Sequence, residues 1–342
     1  MNKKSFASDN YSGVHPEILE NIMLCNNGHV PSYGYDYYCE KAKKIFNNLF
    51  STELDIYFTF NGTGANILGI SSLINSYNSI ICANTAHINV DECGAPSKLT
   101  AASVIAIPNY NGKIKIKDIE PYIELIGVEH HSQPKVISIS QCTELGTTYT
   151  PKEVKEICNF AHKHNMYVHM DGARIANAAA YLNCDIKEFT INAGVDVISF
   201  GGTKNGMMYG EAVIFFNKEL SKNTKFIQKQ SMQLSSKTRY IAAQFCALLE
   251  NDLWLNNASH SNKMANLLAH QIKDIPKITI TQPVESNAVF AIIPKEYVKK
   301  IQKKYFFYVW DYTKSEVRIM CSFDTSEEDI NNFVNHIKSI LL

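Results

Sequence analysis

Between about residues 54 and 216 the sequence alternates short β-rich runs with helical patterns, and this alternation constrains the fold more than any other feature. The runs fall at 54–60, 79–83, 103–108, 135–140, 166–170, 195–200 and 211–216. Several are continuously apolar rather than alternating, the signature of strands covered on both faces. Helical segments lie between many of them. The clearest begins near Thr150, a plausible N-cap, with Pro151 at the first helical position and Glu153 completing a capping box. The pattern predicts an α/β fold built on a mostly parallel, seven-stranded sheet. Ligands of such sheets collect at the carboxyl ends of the strands.

After residue 216 the pattern changes. Residues 221–271 read as mostly helical, followed by strands at 278–281, 288–293 and 317–321. A final helix follows Thr325, with Glu328 as its capping-box partner and Ile330, Phe333, Val334, Ile337, Ile340 and Leu341 on one face. The expected organisation is an N-terminal arm (1–15), a large domain (16–250) and a smaller C-terminal α+β domain (251–342).

Bulk properties narrow the function. The 342 residues are 45% hydrophobic and 19% charged, as in a soluble globular protein, and the formal net charge is zero. That balance argues against nucleic acid or an anionic membrane as the main partner. No apolar run approaches the roughly 20 residues of a membrane span. Met1-Asn2-Lys3-Lys4-Ser5 leads into no apolar stretch, so a signal peptide is not expected. Nine singly scattered cysteines suggest neither a disulfide framework nor a zinc ribbon. A cytoplasmic location is expected.

Four strand-end loops carry the chemistry. After the first run, Gly62, Thr63 and Gly64 open a helix whose free N–H groups suit a monophosphate, although a tight strand–helix turn would use the same residues. His87 sits just past the second run, where a structural and a catalytic histidine are equally expected. Asp171 ends an apolar run with Arg174 three residues on; a buried acid there needs a cationic partner, either Arg174 or a ligand. Lys204 lies in "GGTKNG" (201–206), beside glycines that would let a ligand approach the backbone. His162, His164 and His169 cluster in sequence, but no other ligand-rich segment accompanies them, and no metal is expected. The chain has thirty lysines and only three arginines, Arg174, Arg239 and Arg318, so each arginine is a candidate for a bidentate grip on an anion.

One ligand would use all four loops. Pyridoxal 5′-phosphate needs a lysine for its aldehyde, an anion nest for its phosphate, a carboxylate for its pyridine nitrogen and a flat group against its ring. Lys204, Gly62–Gly64, Asp171 and His87 offer these in turn.

With these loops in place, the sequence resembles the threonine aldolase family, within the β-eliminating lyase superfamily of fold-type-I pyridoxal-phosphate enzymes. The resemblance runs through Ser8-Asp9, "YGYD" (33–36), "NGTGAN" (61–66), "AHINVDECGA" (86–95), "VHMDGARIANA" (168–178), "GGTKNG" and "VRI" (317–319). It implies a lyase that cleaves L-threonine or L-allo-threonine to glycine and an aldehyde. The alternative is a related β-eliminating lyase or aminotransferase on another amino acid.

By position, the resemblance makes Lys204 the Schiff-base lysine, Asp171 the partner of the pyridine nitrogen and His87 the stacking group. Asn61, Gly62 and Thr63 would hold the phosphate. Ser8, Arg174 and Arg318 would hold the substrate carboxylate, with Arg174 also near the cofactor. Arg239 would reach the cofactor site across a dimer interface, in a homo-oligomer that is a dimer or, more usually in this family, a homotetramer. The family has a second histidine, in an E-N-T-H stretch near the substrate hydroxyl. Here that stretch is "SQCTELG" (140–146), with Thr143 at about the histidine's place and Glu144 beside it. Threonine is a poor base at neutral pH, which leaves His87, Glu144 or water to take the β-hydroxyl proton.

Overall fold

The computed structural model describes residues 4–342 of the chain. The first three residues of the expected arm, and with them most of the stretch read for a signal peptide, lie outside the described residues.

Seven strands form the large sheet: β1 (Asp55–Thr59), β2 (Asn78–Ala83), β3 (Ser103–Ile107), β4 (Gln133–Ser140), β5 (Tyr167–Gly172), β6 (Val197–Gly201) and β7 (Glu211–Phe215). Their order is β1-β7-β6-β5-β4-β2-β3. β7 runs antiparallel to both neighbours, and the four pairs from β6 to β3 are parallel. Six strands therefore point one way and deliver their carboxyl ends to one edge. The apolar runs are buried as expected: every residue of β2, β6 and β7 is buried.

Around the sheet pack helices whose ends are chemically marked. In Pro151–Lys163 the Thr150 side chain accepts from the Glu153 N–H and the Glu153 side chain caps Thr150 in return. The rings of Phe46, Phe200 and Phe245 meet, with Phe46 and Phe200 edge-to-face at 5.2 Å.

A second sheet holds β8 (Thr279–Ile280), β9 (Ala288–Ile292), β10 (Tyr308–Asp311) and β11 (Glu316–Met320), in the order β10-β11-β9-β8, all antiparallel. β10 was not expected from the sequence, although Tyr308, Val309 and Trp310 all favour strands. The helix Leu253–Ile272 links the two cores. Leu253, Trp254 and Ala258 pack into the large core, and Met264, Leu268 and Ile272 into the small one.

One helix start differs from expectation. The last helix, Glu327–Leu341, is capped by Ser326 with Asp329, one residue later than the Thr325–Glu328 pair read from the sequence. Thr325 is engaged elsewhere: its hydroxyl accepts from the Ser322 N–H and closes the preceding turn.

The N-terminal arm ties the parts together. Phe6 belongs to the small core, donates its N–H to Phe306 O and accepts from the Met320 N–H through its carbonyl. This places Ser8 and Asp9 at the carboxyl edge of the large sheet.

Candidate active site

A cavity of about 570 Å³ opens where the carboxyl ends of the parallel strands face β10 and β11. Ser8, His87, Glu144, Arg174, Lys204 and Arg318 all line it. Six of the residues singled out in the sequence thus converge from as many separate segments.

Lys204 sits in a short turn, Thr203–Asn205, directly after β6. The turn is held from both sides. Glu211 accepts from the Gly202 N–H at 2.6 Å, and Asn205 donates to Trp254 O at 2.8 Å. Burial, followed by the charge of Arg174, pushes the Lys204 amine below its ordinary pKa. The expected role of the neighbouring glycines is corrected. A Cβ on Gly201 would lie 2.4 Å from the Ala173 carbonyl oxygen, and one on Gly202 would lie 2.3 Å from the Met207 sulfur. These glycines admit neighbouring protein chain, not a ligand.

Asp171 ends β5 with its side chain buried. It accepts from the Ala173 N–H at 3.0 Å and from Asn66 Nδ2 at 2.8 Å. Burial pushes its carboxyl up, but the charges of His87 and Lys204 outweigh that and hold it below the usual range. Arg174 is not its hydrogen-bonding partner. The guanidinium instead grips Asp9, with Nε to Oδ2 at 2.7 Å and Nη2 to Oδ1 at 2.9 Å.

Arg318 has no such partner. It lies on β11 with its guanidinium carbon 5.0 Å from the Trp310 ring centre and 5.9 Å from that of Tyr308. Its buried Nε makes no hydrogen bond among the described residues. Burial, then the nearby Arg174, pull its pKa down to about 10. A buried donor left open is a place for an anion.

His87 and Glu144 meet on the other side of the cavity. Glu144 Oε1 accepts from the His87 N–H at 2.9 Å and from Ser140 Oγ at 2.6 Å, while its buried Oε2 has no partner among the described residues. Burial pushes the Glu144 carboxyl up. The His87 ring bonds through Nδ1 to Glu92 Oε1 at 2.9 Å.

Asn61, Gly62 and Thr63 lie at a helix N-terminus and do not line this cavity. Asn61 caps the helix Gly62–Ser71 and accepts from the Gly64 N–H at 2.7 Å. The first-turn N–H groups of Gly62 and Thr63 have no acceptor within the helix. A Cβ on Gly64 would meet the end of the Gln233 side chain at 2.3 Å, so a larger residue there would displace that amide.

Thr143 and Arg239 do not line the cavity either, nor does Asp171. Thr143 is buried, its hydroxyl paired with that of Thr147 at 2.7 Å. Arg239 faces outward, donating to the carbonyls of Asn27 and Gly28 at 3.4 and 3.3 Å. The three histidines clustered in sequence part company as well. His162 bonds Asp196 at 3.0 Å, His169 lies between Ser138 and Ser199, and His164 packs on Phe160.

Three residues of the site went unread in the sequence: Asp9 as the partner of Arg174, Asn66, and Glu92. Each stands inside a quoted motif, but nothing local marks which distant group it meets.

The residues present fit pyridoxal 5′-phosphate. Beside a half-buried lysine and a buried carboxylate held below its usual pKa range, the structure leaves Asn66 Oδ1, Glu92 Oε2, Glu144 Oε2 and Arg318 Nε buried and unpaired among the described residues. Such a concentration of open polar atoms marks a site for a polar ligand.

Comparison with known proteins agrees with this geometry. The family model described as "Beta-eliminating lyase" matches residues 5–296. The chain is 39% identical over 342 residues to the low specificity L-threonine aldolase of Pseudomonas aeruginosa, covering 99% of this chain and 98% of that one. It is 26% identical over 289 residues to the corresponding protein of Saccharomyces cerevisiae, covering 83% of this chain and 72% of that one. The structure of Leishmania major threonine aldolase superposes with a TM-score of 0.94 at 29% identity, covering 99% of this chain and 100% of that one.

Proposed function

The chain belongs to the β-eliminating lyase family, among its threonine aldolases, and on that premise we propose a pyridoxal 5′-phosphate-dependent lyase that cleaves L-threonine or L-allo-threonine to glycine and acetaldehyde. The observation that carries this reading is that Lys204 and Arg318 line one cavity. The lysine is half-buried, with its pKa pushed down by burial and by Arg174, and the arginine has a buried Nε left open.

In this reading Lys204 holds the cofactor by its aldehyde, Asp171 holds the protonated pyridine nitrogen, and Asn61, Gly62 and Thr63 hold the phosphate. When bound, the cofactor supplies an electron sink for the pair released from the Cα–Cβ bond. Arg318 takes the substrate carboxylate, helped by Ser8 and by the edge of Arg174 that Asp9 leaves free. Fixing the carboxylate fixes rotation about the nitrogen–Cα bond and so selects which bond at Cα is aligned to break. His87 and Glu144 line the cavity with an acceptor position open, and one of them takes the β-hydroxyl proton.

A homo-oligomer, dimer or tetramer, belongs to the same reading. Arg239 donates to the carbonyls of Asn27 and Gly28, and Met23, Leu24, Tyr33, Tyr35 and Met232 from nearby stretches of the chain are exposed. A second copy covering those side chains would bury them and carry Arg239 toward its neighbour's site. No helix of the described residues is long and apolar enough to cross a membrane.

The test is product identification. The chain loaded with pyridoxal 5′-phosphate is mixed with L-threonine and with L-allo-threonine, and equal amounts of glycine and acetaldehyde are expected from at least one. Ammonia and a 2-oxo acid in place of glycine would overturn the proposal.

A further inference from the structure

Behind His87 lies a buried acid to which neither the sequence motifs nor the comparisons give a role. The Glu92 side chain is fully enclosed, and its Oε1 receives both His87 Nδ1 and Asn66 Nδ2 at 2.9 Å. The same Asn66 amide donates to Asp171 at 2.8 Å. One amide therefore bridges two carboxylates. A nitrogen of His87 and oxygens of Glu92 and Asp171 lie within 4.8 Å of one another.

This arrangement settles which ring nitrogen of His87 can work. Nδ1 is committed to Glu92, so Nε2 is the nitrogen left to face the cavity. A carboxylate on one imidazole nitrogen holds the tautomer with its proton there and stabilises the imidazolium formed when the other nitrogen takes a second proton.

We infer that Glu92 is a positioning residue that makes His87 Nε2 the acceptor of the substrate's β-hydroxyl proton. This rests on the aldolase reading for the identity of the proton. The O–H bond breaks as its proton passes to Nε2, and its electron pair becomes the second bond of the leaving aldehyde's carbonyl. His87 becomes an imidazolium with Nδ1–H held on Glu92, and it returns the proton to solvent through its partly exposed side, 35% of the side chain.

The charges around His87 support the inference. The hydrogen bond to Glu92 raises the ring's pKa, against burial, and Asp171 raises it further, while Lys204 lowers it. Glu144 contacts His87 only through the backbone N–H, and Asp91 and Arg318 lie across the same cavity. Of these groups, Glu92 alone is hydrogen-bonded to the ring.

The test uses Glu92→Gln, which keeps the shape and still offers Asn66 an acceptor. The ring of His87 is titrated by NMR in the full chain without cofactor, and the pH profile of kcat is recorded on the loaded enzyme. In the wild type His87 is expected to titrate above the free value of about 6.5. In the variant both that titration and the acid limb of the profile are expected to move down by about one unit. kcat should fall about 100-fold, with KM little changed. A wild-type His87 titrating at or below 6.5 would overturn the inference even if the variant does not fold. So would a variant whose titration and acid limb stay in place. Because the ring titration needs no substrate, its result stands apart from whether threonine is cleaved.

Discussion

Asp9 and Arg174, 165 residues apart, meet through two hydrogen bonds of 2.7 and 2.9 Å, and both side chains are largely buried. Asp9 also accepts from Asn287 Nδ2 at 3.1 Å, so a single carboxylate joins the arm, the large sheet and the segment leading into β9. Burial would push the Asp9 carboxyl up, but the guanidinium outweighs it and holds it below the ordinary range.

Removing one partner of a buried pair leaves the other charge uncompensated, at about 3–5 kcal/mol. Asp9→Ala is therefore expected to unfold at markedly lower denaturant or temperature. A substrate carboxylate would partly replace the lost partner, so saturating substrate should raise the variant's melting temperature more than the wild type's. Equal melting of the two proteins would contradict this role.

Arg318, with its open buried Nε, is proposed to take the substrate carboxylate. A charge-assisted hydrogen bond is worth about 1.5–3 kcal/mol, which corresponds to roughly 10- to 100-fold in affinity. Arg318→Leu should raise KM by about that factor while cofactor content stays at the wild-type level. An unchanged KM would place the carboxylate elsewhere.

Thr143 makes the opposite case. Its hydroxyl is committed to Thr147 and it does not line the cavity. Thr143→Val should leave kcat/KM within about twofold and cost about 1 kcal/mol of stability. A loss of activity without a loss of stability would return Thr143 to the substrate.

Glu211 gives a pH dependence. Burial pushes its carboxyl from an ordinary 4.5 to about 7, against the pull of the Gly202 N–H, the Thr203 hydroxyl and Lys204. A carboxyl with a raised folded pKa binds its proton more tightly in the fold than in the unfolded chain. Its contribution is therefore present at low pH and lost as pH rises from about 4.5 to 7, up to about 3 kcal/mol in all. Glu211→Gln keeps an acceptor for Gly202 and removes the titration. Its melting temperature should fall less between pH 5 and pH 8 than that of the wild type; identical slopes would contradict the assignment.

Much of the fold was legible in the sequence because parallel strands covered on both faces must be apolar throughout, and the runs at β2, β6 and β7 are. The strand-end positions of His87, Asp171 and Lys204 followed from the same pattern. What the sequence hid was pairing. Nothing near Arg174 says that its carboxylate comes from the arm, and nothing near Asp171 says that Asn66 will reach it from 105 residues away. Thr143 was misplaced for a related reason: a hydroxyl four residues on competes for it, and only the folded loop shows which contact wins. Lys204 does line the cavity, but the glycines beside it are crowded by Ala173 and Met207 rather than left open for a ligand.

Lys204 is proposed to anchor pyridoxal 5′-phosphate in this cavity. Borohydride reduction of the pyridoxal 5′-phosphate-loaded chain, followed by peptide mass spectrometry, reads that directly. The account predicts one reduced adduct per chain, on the peptide containing Lys204, and none in Lys204→Ala. An adduct on another lysine, or the same labelling in Lys204→Ala, would contradict it.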